Sequence, residues 1–255
     1  MTRSLSHSLA VWQTHFRNNR PGSEIIPWEA EEALSGEEIQ GIEKSIAAFQ
    51  LGEYSEGKGL LKFAEAYSAR FGGSLLFEIT QLFIKEEQHH AALLKRFMLS
   101  HDIKLLKRHW TDTVFRRLRK LFDYELSITV LITAEIISLV YYKALKGCTS
   151  SEILRRICDK ILADEIAHVR YESEVILFIR GSKPNVIRHV TTLLHRFLFC
   201  GTVLVVYFDH RRVFKQGGYG LPRYWKACWL EFSNCFTRRE AAYRSLEESI
   251  TDAGN

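Results

Sequence analysis

Two stretches of this sequence repeat one spacing of a carboxylate and an imidazole: Glu87 with His90, and Glu165 with His168. On a helix, residues three apart project from the same side, so each pair can offer oxygen and nitrogen donors to a single point. A further glutamate stands upstream of each pair at nearly the same distance. Glu56 precedes Glu87 by 31 residues, and Glu135 precedes Glu165 by 30. The local sequences echo each other, with Glu86-Glu87-Gln88-His89-His90-Ala91 set against Asp164-Glu165-Ile166-Ala167-His168-Val169. The chain thus contains a two-fold internal repeat, each half a helix pair with its own candidate ligands. The chemistry of such a set is metal coordination. Mixed carboxylate and imidazole donors suit iron or manganese, and zinc less well in a six-ligand dinuclear cage.

The elements that must position these residues are helices. From residue 37 onward the apolar residues recur at intervals of three and four. The first helix is expected over about Glu37 to Ala69, with Ser35 and Glu38 as a capping box. Gly72-Gly73 makes a tight turn into a second helix, about Ser74 to Ser100. A longer connection, about His101 to Lys120, leads to a third helix, about Phe122 to Lys146. Gly147 ends that helix, Thr149 with Glu152 gives another capping box, and a fourth helix follows over about Ser150 to Arg180. Gly181 and Pro184 interrupt the chain. Two more helices are expected, about Asn185 to Phe214 and Pro222 to Ile250, separated by Gly217-Gly218-Tyr219-Gly220.

The six residues named first all fall on the apolar stripes of the first four helices, and no lysine or arginine shares those stripes near them. Burying an unpaired carboxylate costs several kcal/mol or more. Four of them on inward faces need a cationic counter-charge, and metal ions supply one.

One glutamate from each of two helices, plus Glu-x-x-His from each of the other two, resembles the ferritin-like di-iron carboxylate superfamily. The resemblance covers about residues 37–180. It implies an all-α fold, a ferritin-like four-helix bundle with two additional C-terminal helices, in which two short-loop hairpins are joined by one long crossover. The chain then divides into an N-terminal arm (1–35), a di-metal bundle (36–182) and a helical C-terminal extension packed on it (183–255). The resemblance also implies two Fe ions, with Mn or a mixed Fe/Mn pair as alternatives. Glu56 and Glu135 resemble the carboxylates of the first and third helices, Glu87 and Glu165 the bridging pair, and His90 and His168 the nitrogen ligands.

Several registers stay open. Glu86 and His89 also satisfy Glu-x-x-His, but their stripe includes Arg96, and the repeat aligns Glu87 with Glu165. Glu53 lies one turn before Glu56 as an additional carboxylate. Glu172 continues the fourth stripe beyond His168, either as an extra ligand or proton relay or as the partner of an arginine from the tail. Asp164 and Glu86 can hold the far nitrogens of His90 and His168 in a reciprocal arrangement, because ligand histidines usually donate their other N–H to a carboxylate. Tyr142 and Tyr124 share the Glu135 stripe and Tyr67 ends the Glu56 stripe, as oxidisable neighbours of a metal or as core packing. Gly52, Gly57 and Gly59 flank Glu56, each costing about 1 kcal/mol in a helix. They point to close helix approach, a local bulge, or room for a channel.

Composition narrows the class. Hydrophobic residues make up 46% and charged residues 25% of the 255, with four prolines, as in a helical globular protein. The net charge of +5 is scattered. A stretch such as Phe115-Arg116-Arg117-Leu118-Arg119-Lys120, with Arg211, Arg212, Arg238 and Arg239, could meet RNA phosphates, although nucleic acid is not the expected partner. Five widely spaced cysteines without a CxxC pair fit a reducing compartment, and a cytoplasmic protein is expected. The first nineteen residues lack a secretory apolar core and read as a frayed arm. The longest nearly apolar run, Phe197 to Phe208, is too short for a membrane span of about 20 residues, so a buried helix and no transmembrane segment are expected.

Three functions follow from these readings. The first is an oxidase or oxygenase that activates O2 on a small-molecule substrate, with an external electron donor because no flavin or iron–sulfur motif is visible. The aromatic tail (among others Phe199, Tyr207, Tyr224, Trp229 and Phe232) would cap its pocket, or serve plain packing or a homodimer interface. The second is a non-enzymatic iron-binding or storage protein, expected as a large hollow assembly. The third is a tRNA-modifying hydroxylase.

Overall fold

The computed structural model describes residues 2–19, 22, 25–30, 32, 34–54, 57–71, 74–109 and 124–238. These form α1 (Thr2–Asn18), α2 (Gly36–Glu53), α3 (Lys58–Phe71), α4 (Leu75–Ser100), α5 (Tyr124–Gly147), α6 (Glu152–Gly181), α7 (Asn185–Asp209), α8 (Arg211–Gln216) and α9 (Leu221–Ser233), then one π-helical turn, Asn234–Arg238. The fold is all-α, with no strand among the described residues.

α5 is the central helix. Its sequence is apolar all round, and nine-tenths of its apolar stretch is buried, as expected of a helix enclosed on every side. α6 packs along it, α4 packs on α6, and α2 and α3 pack on α4. Leu94, Ile132, Ile136, Leu154 and Ile161 meet in the core with essentially no exposure, each burial stabilising by about 1.5–3 kcal/mol.

The helix starts follow local chemistry. Ser35 caps α2 by accepting a hydrogen bond from the Glu38 N–H, an interaction of about 1 kcal/mol. Glu38 then reaches the start of α6, where its carboxylate accepts bonds from Thr149 Oγ1 (2.7 Å), Ser150 N (2.7 Å) and Ser150 Oγ (2.8 Å). The actual cap of α6 is Ser151, which accepts from Leu154 N, so Thr149 serves the linkage to α2 rather than the cap expected of it.

The structure departs from the sequence reading in four places. The single first helix is two, because the chain leaves helical geometry at Tyr54 and Gly57. Gly57 has φ +63°, a left-handed conformation natural to glycine, and a Cβ there would come within 2.2 Å of Ile84 Cδ1. The N-terminal arm contains a helix, α1, whose Leu9 and Phe16 are buried. It packs on α4, and its Trp12 Nε1 donates to Glu174 (2.8 Å). The first tail helix ends at Asp209 and resumes as α8. Finally, the Phe197–Phe208 run is buried on one side only. Measured along whole helices, both α5 and α7 are long and apolar enough to cross a membrane by length and composition.

The tail is fastened to the bundle. His195 of α7 is buried between Thr133 Oγ1 (3.2 Å) and Arg180 Nη2 (3.3 Å), and Arg180 Nε donates to Glu125 (2.9 Å). Gly217 lies so close to α5 that a Cβ would meet Ala144 O at 2.2 Å. All five cysteines are free. The basic stretch 115–120 and the chain beyond 238 lie outside the described residues.

Candidate metal centre

The inward faces of α2, α4, α5 and α6 meet in a cluster of carboxylates and imidazoles. Glu53 is the last residue of α2. Glu87 and His90 lie mid-helix on α4, Glu135 on α5, and Glu165 and His168 on α6, and all six are buried. They form two groups, Glu53–Glu87–His90–Glu165 and Glu87–Glu135–Glu165–His168. Within each, one donor atom per residue lies within 4.8 Å of the others. Glu87 and Glu165 belong to both, so the groups share two carboxylates.

The histidines face the cluster through Nδ1. His90 Nδ1 is 3.5 Å from Glu87, 3.7 Å from Glu165 and 3.8 Å from Glu53. His168 Nδ1 is 3.2 Å from Glu87 and 3.6 Å from Glu165. Both Nδ1 atoms, Glu87 Oε1 and both oxygens of Glu165 are sealed from solvent without an aligned hydrogen-bond partner. Native interiors rarely leave such groups unsatisfied. Among the described residues no lysine or arginine forms an ion pair with the four glutamates. Orphaned N and O donors of α4 and α6 converge here, with Glu53 of α2 and Glu135 of α5 beside them, and such a cluster could hold metal.

The outer nitrogens are held as the repeat implied. His90 Nε2 donates to Asp164 Oδ2 (2.7 Å), and His168 Nε2 donates to Glu86 Oε2 (2.9 Å). Each histidine is therefore oriented by the acid that precedes the ligand glutamate of the other half. Asp164 is itself gripped by Lys160 Nζ (2.7 Å) and Asn19 Nδ2 (2.8 Å). Despite burial, its bonds to His90 and Lys160 hold its carboxyl below the usual range. Phe16 of α1 stacks on His168 at 5.9 Å. The sequence reading missed Asn19, Lys160 and Phe16. The signal available was Leu9, Trp12 and Phe16 at helical spacing.

Without metal, protons take the counter-charge role. Burial and the charge of Glu87 push Glu53 up to about 8. Burial with the charges of Glu165 and Glu87 drives Glu135 well above the carboxylate range. Burial opposes charge on His90, but Asp164, Glu53 and Glu87 raise it well above the usual imidazole value. His168 is raised likewise, against burial, by Glu165, Glu86 and Glu87.

The remaining candidates separate. Glu56 lies outside the described residues, and on the α2 side the residue that joins the cluster is Glu53. The equal spacing that favoured Glu56 assumed an unbroken helix. Tyr142 Oη donates to Glu53 Oε1 at 2.5 Å. Tyr67 and Tyr124 pack together at 5.3 Å. Glu172 is buried but belongs to neither group. It lies near Tyr124, which burial and the neighbouring Tyr171 and Glu172 raise well above its usual value.

A cavity of about 160 Å³ adjoins the cluster. Glu53, Glu87 and Glu135 stand on its wall, which is otherwise mostly apolar. α7 contributes Thr202 and Val206, and His210 follows just beyond it. The tail therefore lines part of the cavity, with Thr202, Val206 and His210 rather than with its aromatic residues. Phe199, Tyr207, Tyr224 and Phe232 pack among themselves, and Phe197 and Phe208 face outward. His210 Nδ1 is 2.8 Å from Ser45 Oγ, which is 3.0 Å from Tyr141 Oη, and burial brings His210 down to about 4. Of this buried polar chain only His210 lines the cavity, and the chain was also missed in the sequence. Comparison with family models, with curated proteins and with solved structures returns no match to this chain.

Proposed function

We propose that this protein is a ferritin-like di-metal carboxylate oxidoreductase that holds two iron ions, or an Fe/Mn pair, and activates O2 to oxidise a small molecule. The observation that carries the reading is the pair of buried Glu/His groups that share Glu87 and Glu165 and leave both histidine Nδ1 atoms without partners. In it, Glu53 and His90 would hold one ion, Glu135 and His168 the other, and Glu87 and Glu165 would bridge. When bound, such a pair supplies redox electrons and open coordination positions for O2.

The chain's own residues do the rest. Asp164 and Glu86 fix the imidazole orientation and keep each Nδ1 free to coordinate. The apolar cavity wall excludes water and receives an uncharged or weakly polar substrate beside Glu53 and Glu135. Tyr142 donates a hydrogen bond to the Glu53 carboxylate and holds it toward the cluster. Electrons come from an external donor.

The enzyme reading is favoured over storage by the mostly apolar cavity beside the cluster, lined in part by α7, which an iron store does not need. The test is anaerobic loading with two equivalents of Fe(II) followed by O2, with oxygen uptake and ferrous iron followed together. Rapid uptake at about one O2 per two irons, by a monomer or dimer, is expected. No uptake by the loaded protein would overturn the reading, and a large hollow assembly would favour storage.

A further inference from the structure

α5 and α7 have equally apolar windows, each with a mean hydropathy of 1.6, yet 89% of the α5 window is buried and only 33% of the α7 window. The buried third of α7 is one face, with His195, Phe199, Val203 and Tyr207 turned onto the bundle. On the opposite face Val186, Val190, Leu194, Phe197 and Phe208 are 75%, 51%, 61%, 68% and 59% exposed. Their spacings of three, four and eleven, the last of these about three full helical turns, put them on one stripe. Gly201, in the middle of that stripe, has nothing within 4 Å of where a side chain would begin. Exposed apolar surface this continuous marks an interaction site rather than ordinary solvent-facing surface.

The charge around the stripe identifies the partner. From residue 182 to 230 there are eight lysines and arginines (Lys183, Arg188, Arg196, Arg211, Arg212, Lys215, Arg223 and Lys226) and one acid, Asp209. The segment's +7 exceeds the +5 of the whole chain, so the excess of positive charge is concentrated in the part of the sequence that carries this face. Arg196, Arg211, Arg212 and Lys215 are exposed.

We propose that α7 docks this protein on an anionic phospholipid membrane, lying in the plane of the interface. An apolar stripe bordered by lysine and arginine, with acids nearly absent, matches what an interfacial helix presents to acyl chains and headgroups. Insertion across the bilayer is excluded by the inner face, which His195 and Phe199 tie to the bundle. A second copy of the chain is a poorer occupant, because it would set two +7 segments against each other. Thr202 and Val206, on the inner side of α7, line the cavity beside the acid cluster, so docking brings that cavity within one helix of the lipid.

The test is flotation of the full-length protein with vesicles of equimolar phosphatidylglycerol and phosphatidylcholine, and with vesicles of phosphatidylcholine alone. The wild type floats with the anionic vesicles and far less with the neutral ones. Leu194→Gln with Phe197→Gln weakens binding by about tenfold or more. Arg196→Gln with Arg211→Gln and Arg212→Gln removes the preference for anionic lipid, while circular dichroism confirms that both variants stay helical. The proposal is overturned if the wild type stays in the aqueous fraction with both vesicles, or if neither variant changes its binding. It is equally overturned if sedimentation shows a dimer that the Leu194→Gln/Phe197→Gln variant dissociates.

Discussion

Glu53 and Glu135 hold corresponding places, each joining one of the two groups that share Glu87 and Glu165, but they arrive there differently. Glu135 sits in the middle of the unbroken α5, and the helix period alone aims it inward. Glu53 is the final residue of α2, just before the chain leaves helical geometry, and Tyr142 holds its carboxylate from across the bundle. The break that follows is supported by Gly57 in a left-handed conformation against Ile84. One half of the centre is therefore built by periodicity, and the other by a helix end, a glycine and a hydrogen bond.

Removing what the halves share has the largest effect. Glu87→Ala with Glu165→Ala takes a carboxylate from both groups at once, and the purified variant is expected to bind neither metal ion when its metal content is measured. Removing what they do not share separates them. Glu53→Ala and Glu135→Ala are each expected to reduce the content from two ions to one, with the retained ion still ligated by the histidine of the other half. Equal loss of both ions in either variant would mean that the halves do not act separately.

A smaller effect is expected one layer out. Asp164→Asn and Glu86→Gln each leave a ligand histidine with a weaker acceptor, which lowers metal affinity by about 10–100-fold in competition with a chelator. Asp164→Asn should cost more, because Asp164 is itself braced by Lys160 and Asn19.

The dependence on pH has a definite sign. With no metal bound, His90 and His168 are raised well above the usual imidazole value. Their protonated pairing with the carboxylates stabilises the metal-free fold fully below the unfolded value, and that stabilisation is lost as pH rises through the raised one. Glu53, up to about 8, also holds a proton at neutral pH. Metal must displace these protons, so affinity is expected to fall by about tenfold or more for each unit of acidification. Calorimetry in buffers of different ionisation enthalpy should register the proton release.

The smallest effect tests the break. Gly57→Ala forces a Cβ into a positive φ and against Ile84, and is expected to destabilise by about 1–3 kcal/mol. A lowered thermal midpoint with two metals still bound at saturation would separate stability from ligation.

The same contrast explains what could be read in the sequence. Glu87, His90, Glu135, Glu165 and His168 were legible because each lies on a continuous helix, where spacing converts directly into direction. The reciprocal grip of Asp164 and Glu86 was legible because the repeat places both one residue before a ligand glutamate. Glu53 was harder to place than the others because the spacing rule presumes a helix that does not stop, and only the glycines Gly52, Gly57 and Gly59 hinted at the break; Glu56 lies outside the described residues. The aromatic tail left cavity capping and plain packing both open for a related reason. Composition identified residues able to line a cavity, but packing among Phe199, Tyr207, Tyr224 and Phe232 consumed them.

The most direct measurement is the metal content of the wild-type chain after anaerobic incubation with Fe(II) or Mn(II) and removal of excess, by elemental and native mass spectrometry together. Two ions per folded chain are predicted. A folded chain that stays free of metal under these conditions would contradict the account.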